Sequence, residues 1–142
     1  GGDGWSSPKL FEIAKEAING NYFSNHYTTE STDPKTQNFV KDFKAKYKED
    51  ADVMAALAYD AVYLMAEAIK NAKTTTAEDK RDETVKLQEF RDSIRDELAK
   101  IKDFHGVTGK MSMDANRDAI KSAVVVQVQG PEYKFITSVS PN

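Results

Sequence analysis

A change in the spacing of apolar residues at Asp103 constrains the fold of this chain more than any other feature. Before Asp103, apolar residues recur every three or four positions, which is the period of a helix with one buried face. After it, Val107, Met111 and Met113 lead into segments where apolar and polar residues alternate, which is the period of a strand. The sequence therefore predicts an α/β chain with a helix-rich middle and a C-terminal β meander.

The first thirty residues predict one short helix and one strand. Ser7-Pro8 provides an N-cap and a first-turn proline, and Gly20 is a typical C-cap. The aromatic stretch 21–27 that follows favours a strand. A polar, turn-rich segment then ends at Asp33-Pro34, which is a second capping pair and predicts the start of the next helix.

The middle of the chain predicts three helices. The helix after Asp33 carries apolar residues on one face and lysines on the rest, and residues 53–72 form the most apolar helix, which needs cover on several sides. Residues 87–101 repeat apolar side chains every three or four positions through a charged background. Between them, residues 73–83 combine threonines with mixed charges, which predicts a mobile loop.

Three strands are predicted in the last quarter of the chain. They are a first strand through Met111 and Met113, a valine-rich strand at 123–129, and a final strand with alternating apolar residues at 133–139. The polar segment 114–118 and Gly130-Pro131 provide the turns between them.

Composition excludes several classes of partner. The 142 residues include 20 basic and 23 acidic side chains, for a net charge of −3, so no electrostatic footprint for nucleic acid is present. No apolar run reaches the roughly 20 residues that a membrane-spanning helix needs. The chain has no cysteine, which rules out disulfides and thiolate chemistry.

The sequence predicts neither catalysis nor a metal or cofactor site. Its two histidines, His26 and His105, lie in different segments without carboxylates at ligand spacing, which favours ordinary polar roles. The segment that begins at Asp114 resembles half of a calcium loop but has Ala119 where glycine is required and Val125 where glutamate is required. Nucleophile motifs are absent from the sequence.

The strongest candidate for ligand binding is Gly2-Asp3-Gly4-Trp5. Two glycines leave the backbone free to bend around a carboxylate and an indole. A carboxylate can pair with an ammonium group, and an aromatic wall adds apolar or cation–π contact, which together suit an amino acid. The alternative reading is that Asp3 ends a strand and Trp5 packs on the following helix.

Five motifs in order resemble the C-terminal part of type I periplasmic binding proteins, the Leu/Ile/Val-binding-like receptors of branched-chain amino-acid ABC importers. The matching segments are Gly-Gly-Asp-Gly-Trp-Ser-Ser-Pro at 1–8, Tyr-Phe-Ser-Asn-His-Tyr at 22–27, Asp-Pro-Lys at 33–35 with Phe-Val-Lys-Asp-Phe-Lys-Ala-Lys-Tyr at 39–47, Ala-Leu-Ala-Tyr-Asp-Ala-Val at 56–62, and Gly-Val-Thr-Gly-Lys at 106–110. The resemblance extends over nearly the whole chain.

The resemblance implies a fragment of a fold with two lobes around a ligand cleft. It places residues 1–27 and 106–142 in the second lobe and residues 28–105, the helical part, in the first lobe. It implies that Asp3 holds the α-amino group of an amino acid, that Trp5 lines the cleft, and that Met54 and Tyr59 lie near the ligand side chain. It further implies an extracytoplasmic protein, in the periplasm or as a cell-surface lipoprotein, that delivers its ligand to a membrane permease.

Two other functions remain open from the sequence, namely a sensory ligand-binding domain of a receptor and a protein-interaction module without a ligand. The family is more than twice as long as this chain, so the apolar helices lack the sheet that would cover them. The resemblance therefore also predicts that the chain alone forms a homo-oligomer, in which a second copy provides the missing cover.

Overall fold

The fold is a mixed arrangement of four helices and six strands in a computed structural model that describes residues 1–7, 9–74 and 79–141. Short 3₁₀ turns at Asp3–Ser6 and Lys15–Ile18 flank the first helix. This order confirms the predicted α/β chain with a helix-rich middle. The elements are α1 (Lys9–Ala14), β1 (Tyr22–Asn25), α2 (Pro34–Tyr47), α3 (Val53–Asn71), α4 (Glu83–Lys100), β2 (Phe104–Gly106), β3 (Gly109–Met113), β4 (Ala119–Lys121), β5 (Ala123–Gln129) and β6 (Glu132–Val139).

The two ends of the chain fold together into what we call the terminal unit, residues 1–7, 9–26 and 123–141. Its sheet has the order β1-β5-β6 with antiparallel neighbours, and Phe23 of β1 lies opposite Val126 of β5. Phe23, Val126 and Val128 are fully buried, and Ile18 completes this core, against which α1 packs. The apolar alternation of β5 thus fills one face of the sheet.

The middle of the chain forms the central unit, residues 33–74 and 79–121. A second antiparallel sheet, β2-β3-β4, packs on α3 and α4 through Leu64, Ile101 and Met111. A further core joins α2 and α3 through Phe39, Ala56 and neighbouring apolar side chains. The helices therefore lie between a small sheet and an open side.

Local capping sets the helix boundaries in the central unit. The Asp33 carboxylate accepts hydrogen bonds from the Lys35 and Thr36 N–H groups at 2.8 and 3.4 Å, which starts α2 at Pro34 as predicted. Asp52 and Asp82 accept in the same way at the starts of α3 and α4. The predicted mobile loop at 73–83 includes residues 75–78, which lie outside the described residues.

The strands after Asp103 number five rather than the three predicted, and they divide between the two sheets. The division falls at Ser122, between β4 and β5. It was not visible in the sequence because β2 and β4 are three residues long, too short to show a period. The lobe boundaries stay a prediction. Because β2 and β3 pack with the helices and β4 pairs with β3, we propose residue 122 instead of 105 as the second boundary.

Candidate ligand-binding site

Backbone hydrogen bonds to β1 fix the position of Asp3. The Gly1 amino group donates to the Tyr22 carbonyl at 2.7 Å, and the Gly1 carbonyl accepts from the Ser24 N–H at 3.1 Å, so the chain start lies along β1. The 3₁₀ turn that follows carries Asp3 past the end of this strand. Its side chain is 54% exposed, so the carboxylate is available to a ligand.

Among the described residues, His26 is the group of opposite potential charge that lies close to the Asp3 carboxylate. The His26 Nε2 lies 3.3 Å from the Asp3 Oδ2, and the imidazole is itself 39% exposed. Asn25, which is buried, connects the same two segments, since its Nδ2 donates to the Ser6 Oγ at 3.3 Å and its Oδ1 accepts from the His26 N–H at 2.9 Å. The expectation that His26 has an ordinary surface role overlooked this pair, which joins residues 23 positions apart.

Trp5 packs mainly on the core of the terminal unit. Its ring centroid lies 6.4 Å from that of Phe23, and its backbone carbonyl accepts a hydrogen bond from the Tyr133 hydroxyl at 3.2 Å. The indole is nevertheless only half-buried and follows Asp3 within the same turn. Its role as a wall of the ligand cleft stays a prediction.

Met54 and Tyr59 lie on α3, in the central unit. Met54 is exposed in the first turn of the helix. The Tyr59 ring lies between Phe39 and Tyr63, at centroid distances of 4.9 and 4.7 Å, and lines a groove of about 610 Å³ between α2 and α3. Asp3, Trp5 and Met54 do not line this groove. The structure thus places two of the predicted site residues on each unit, and their joint action on one ligand stays a prediction.

Two cavities of about 450 Å³ each lie at the junction of the two units, and Tyr27 lines both. Its hydroxyl is buried and has no hydrogen-bond partner among the described residues. Burial, together with the nearby carboxylates of Asp50 and Asp52, raises the pKa of Tyr27 to about 12, so the phenol is neutral at physiological pH. The aromatic stretch 21–27 indicated this residue only as part of a strand.

A buried carboxylate ties α3 to the segment after β2. Asp60 is 2% exposed; one oxygen accepts from the Val107 N–H at 2.7 Å, and the other accepts from the Thr108 N–H and hydroxyl at 2.9 and 2.6 Å. A Cβ on Gly106 would overlap this carboxylate, so the approach requires glycine. This contact was not predicted from the sequence, although a charged residue inside the most apolar helix is a signal for it.

Lys121 extends this network toward the terminal unit. Its ammonium donates to the Thr108 hydroxyl at 2.6 Å and to the His26 carbonyl at 3.4 Å. Burial lowers the pKa of Lys121, and the nearby Asp60 charge opposes that shift. The last residue of β4 therefore contacts both units where the chain passes between them.

Other kinds of site find no support in the part of the chain that the structure describes. Within residues 1–7, 9–74 and 79–141, His, Asp and Glu side chains do not form a group of three or more that could hold a metal ion. In the same ranges, no helix combines the length and apolar character needed to cross a membrane.

Comparisons with known proteins agree with the fold and the motif order. The family model described as "periplasmic binding protein" matches residues 4–132. A leucine-binding protein LivK from Thermotoga maritima is 33% identical, with a TM-score of 0.81 over 99% of this chain and 36% of that one. The substrate-binding protein LivJ from Streptococcus pneumoniae, solved with isoleucine, is also 33% identical, with a TM-score of 0.75 over 96% of this chain and 36% of that one.

A more distant structure shares only the fold. A solute-binding protein from R. palustris, solved with benzoate, is 20% identical, with a TM-score of 0.67 over 93% of this chain and 34% of that one. No curated protein gives a significant match. The chain spans little more than a third of the length of the solved structures it matches. With a family match over most of its length and the same fold as two amino-acid-binding relatives, this chain belongs to the periplasmic binding protein family.

Proposed function

We propose that this chain is the C-terminal part of the solute-binding component of an ABC importer, and that the intact protein binds a branched-chain amino acid between two lobes. The observation that carries this proposal is the 33% identity to a leucine-binding protein over 99% of the chain. In keeping with the family, the protein acts outside the cytoplasm, delivers its ligand to a membrane permease, and catalyses no reaction.

The exposed carboxylate of Asp3 supports an amino-acid ligand. It lies beyond the end of β1, in the same 3₁₀ turn as Trp5. This turn belongs to the terminal unit, whereas α2 and α3 belong to the central unit. An α-ammonium group pairs with a carboxylate through a charge-assisted hydrogen bond. Met54 is exposed in the first turn of α3, in the other unit, and closure of the lobes would bring its apolar side chain toward a ligand held by Asp3. Tyr59 lines the groove between α2 and α3, which Asp3 does not line, and its contact with the ligand stays a prediction.

Replacing Asp3 tests the proposal directly. Asp3→Asn keeps the shape and removes the charge, and it should weaken leucine binding to the intact protein about 10- to 150-fold, or roughly 1.5–3 kcal/mol, as measured by calorimetry. Asp92→Asn is a matched control, because Asp92 is paired with Arg95 on the surface of α4 and should not affect binding. Equal affinity of the Asp3→Asn variant and the unaltered protein would contradict the assigned role.

The ligand panel should distinguish amino acids from other carboxylates. Leucine and isoleucine carry the ammonium group that Asp3 is proposed to hold, whereas benzoate does not. Binding of benzoate in preference to leucine would shift the proposal to an aromatic carboxylate, as in the R. palustris structure. A sensory receptor would give the same binding results, and only the sequence joined to this chain distinguishes it from an importer component.

The predicted self-association of the chain stays a prediction. Its basis is the open face of α2 and α3, where Tyr47, Val62 and Tyr63 are exposed. In the intact protein we propose that the other part of the first lobe covers this face. Light scattering on the isolated chain measures whether a second copy takes that place.

A further inference from the structure

Both histidines of this chain are paired with an aspartate, and only one pair includes the proposed ligand-binding residue. The His26 Nε2 lies 3.3 Å from the Asp3 Oδ2, and the His105 Nε2 lies 2.7 Å from the Asp33 Oδ2. Asp33 is the N-cap of α2, so the second pair has a structural explanation. The first pair has none within the fold, because both partners are partly exposed beyond the end of β1.

The backbone at His26 holds the imidazole near Asp3. Its N–H donates to the Asn25 Oδ1 at 2.9 Å and its carbonyl accepts from the Lys121 ammonium at 3.4 Å. Asn25 in turn bonds to Ser6 in the turn that carries Asp3. Both partners are thus anchored by contacts that do not involve the ion pair itself.

The charged groups around His26 come from several elements. Asp3 faces it from the 3₁₀ turn and Lys121 contacts its carbonyl from β4. Glu30, Asp33 and Lys110 line the same cavity as His26. The carboxylate of Asp3 lies within ion-pair distance of the imidazole, so the protonation state of His26 directly changes the net charge of this pair.

We infer that His26 sets the pH range in which the Asp3 site accepts an ammonium group, an inference that rests on the proposed function. A neutral imidazole at this distance adds no charge and leaves the negative charge of Asp3 available to a ligand. A protonated imidazole is a cation that pairs with the same carboxylate and repels the ligand's ammonium group. Ligand and proton therefore compete, and affinity falls as the pH falls through the histidine range.

Reciprocity gives a second observable. If protonation of His26 weakens ligand binding, ligand binding must favour loss of that proton by the same factor. Binding of leucine in mildly acidic solution should therefore release part of one proton per site. Calorimetry in buffers of different ionisation enthalpy measures this release on the unaltered protein.

The experiment compares three forms of the intact protein, the unaltered protein, His26→Gln and His105→Gln, with leucine as the probe. Glutamine keeps an N–H donor but does not titrate in this range. Between about pH 8 and about pH 5.5 we expect the affinity of the unaltered protein to fall roughly two- to fivefold, the size of a partly exposed ion pair. His26→Gln should abolish this fall and the proton release, and His105→Gln should keep both.

The outcomes separate this inference from the proposed function. Leucine binding with no pH response, or with a response that survives His26→Gln, would overturn the role of His26 and leave the proposed function standing. Loss of the response in His105→Gln alone would assign it to the α2 cap instead, which also overturns the inference. Failure of all three forms to bind leucine at either pH would overturn the proposed function and the inference together. Because proton release is measured on the unaltered protein, the inference stays testable if His26→Gln does not fold.

Discussion

The terminal and central units bury their apolar residues to very different extents. In the terminal unit, β5 and β1 close a core in which Val128 is fully buried. In the central unit, α2 and α3 leave an aromatic groove open, and Val62 in that groove is 66% exposed. Two valines of the same size thus stand in opposite environments within one chain.

The difference shows that the two units are stabilised by different kinds of interaction. The terminal unit relies on apolar burial between antiparallel strands. The central unit uses a buried carboxylate, Asp60, to join α3 to residues 107 and 108, while part of its apolar surface stays uncovered. A fully satisfied buried polar network of this kind favours a single arrangement of the segments that it joins.

Removal of the Asp60 carboxylate should have the largest effect on stability. Asp60→Ala leaves the N–H groups of Val107 and Thr108 buried without partners, so we expect the free energy of unfolding to fall by about 3–5 kcal/mol in urea denaturation. Asp92→Ala, at an exposed pair on α4, should cost no more than about 0.5 kcal/mol. A loss below about 1 kcal/mol for Asp60→Ala would mean that the central unit does not depend on this contact.

The same truncation at the two valines measures the contrast between the units directly. Val128→Ala empties a fully buried position and should lower the free energy of unfolding by about 2 kcal/mol, whereas Val62→Ala should change it by about 0.5 kcal/mol or less. Urea denaturation of both variants of this chain provides the measurement. Equal losses would show that the groove is covered in solution, and their dependence on protein concentration would identify a second copy as the cover.

A smaller effect than those of Asp60→Ala and Val128→Ala is predicted for the cap of α2. Although burial alone would raise it, hydrogen bonds from His105 and from the N–H groups of Lys35 and Thr36 hold the pKa of Asp33 below its usual value. A lowered pKa in the folded state stabilises the fold above about pH 4, and this contribution is lost as the pH falls through the folded-state pKa. Asp33→Ala should therefore cost about 1 kcal/mol at pH 7, a difference that shrinks in acid.

Asp33→Asn is the matched control for this cap, because asparagine caps helices but does not titrate. It should keep most of the stability at pH 7 and lack the acid-dependent loss. Urea midpoints at neutral and acidic pH compare the three forms. A difference between Asp33→Ala and the unaltered protein that persists unchanged in acid would assign the effect to packing instead of charge.

Features of the fold that depend on neighbouring residues could be predicted from the sequence. The start of α2 follows from Asp33-Pro34, and the extent of β5 follows from the valines at 123–129. These signals act within a few residues, through capping and through apolar alternation. The family motifs indicated the family and the fold class, which the family match over residues 4–132 and the LivK structure confirm, while the lobe boundaries stay a prediction.

Contacts between distant residues could not be predicted in the same way. The division of the strands into two sheets depends on whether β4 pairs with β3 or with β5, and the pattern of apolar residues does not distinguish the two pairings. The pairing of His26 with Asp3 depends on the chain start lying along β1. The assignments of Asp3, Trp5, Met54 and Tyr59 as ligand contacts came from resemblance, and the binding experiments above test them.

The hydrogen bonds of Asp60 also affect how α3 folds while the chain is being synthesised. The carboxylate and its nearest backbone partner, Val107, are 47 residues apart in the sequence. At a synthesis rate of 5–20 residues per second, the ribosome makes Val107 roughly 2 to 10 seconds after Asp60. During that interval α3 carries a solvated charge in the middle of its apolar surface, which opposes premature burial. Residues 107 and 108 must therefore be synthesised before the Asp60 carboxylate can be buried with its hydrogen-bond partners.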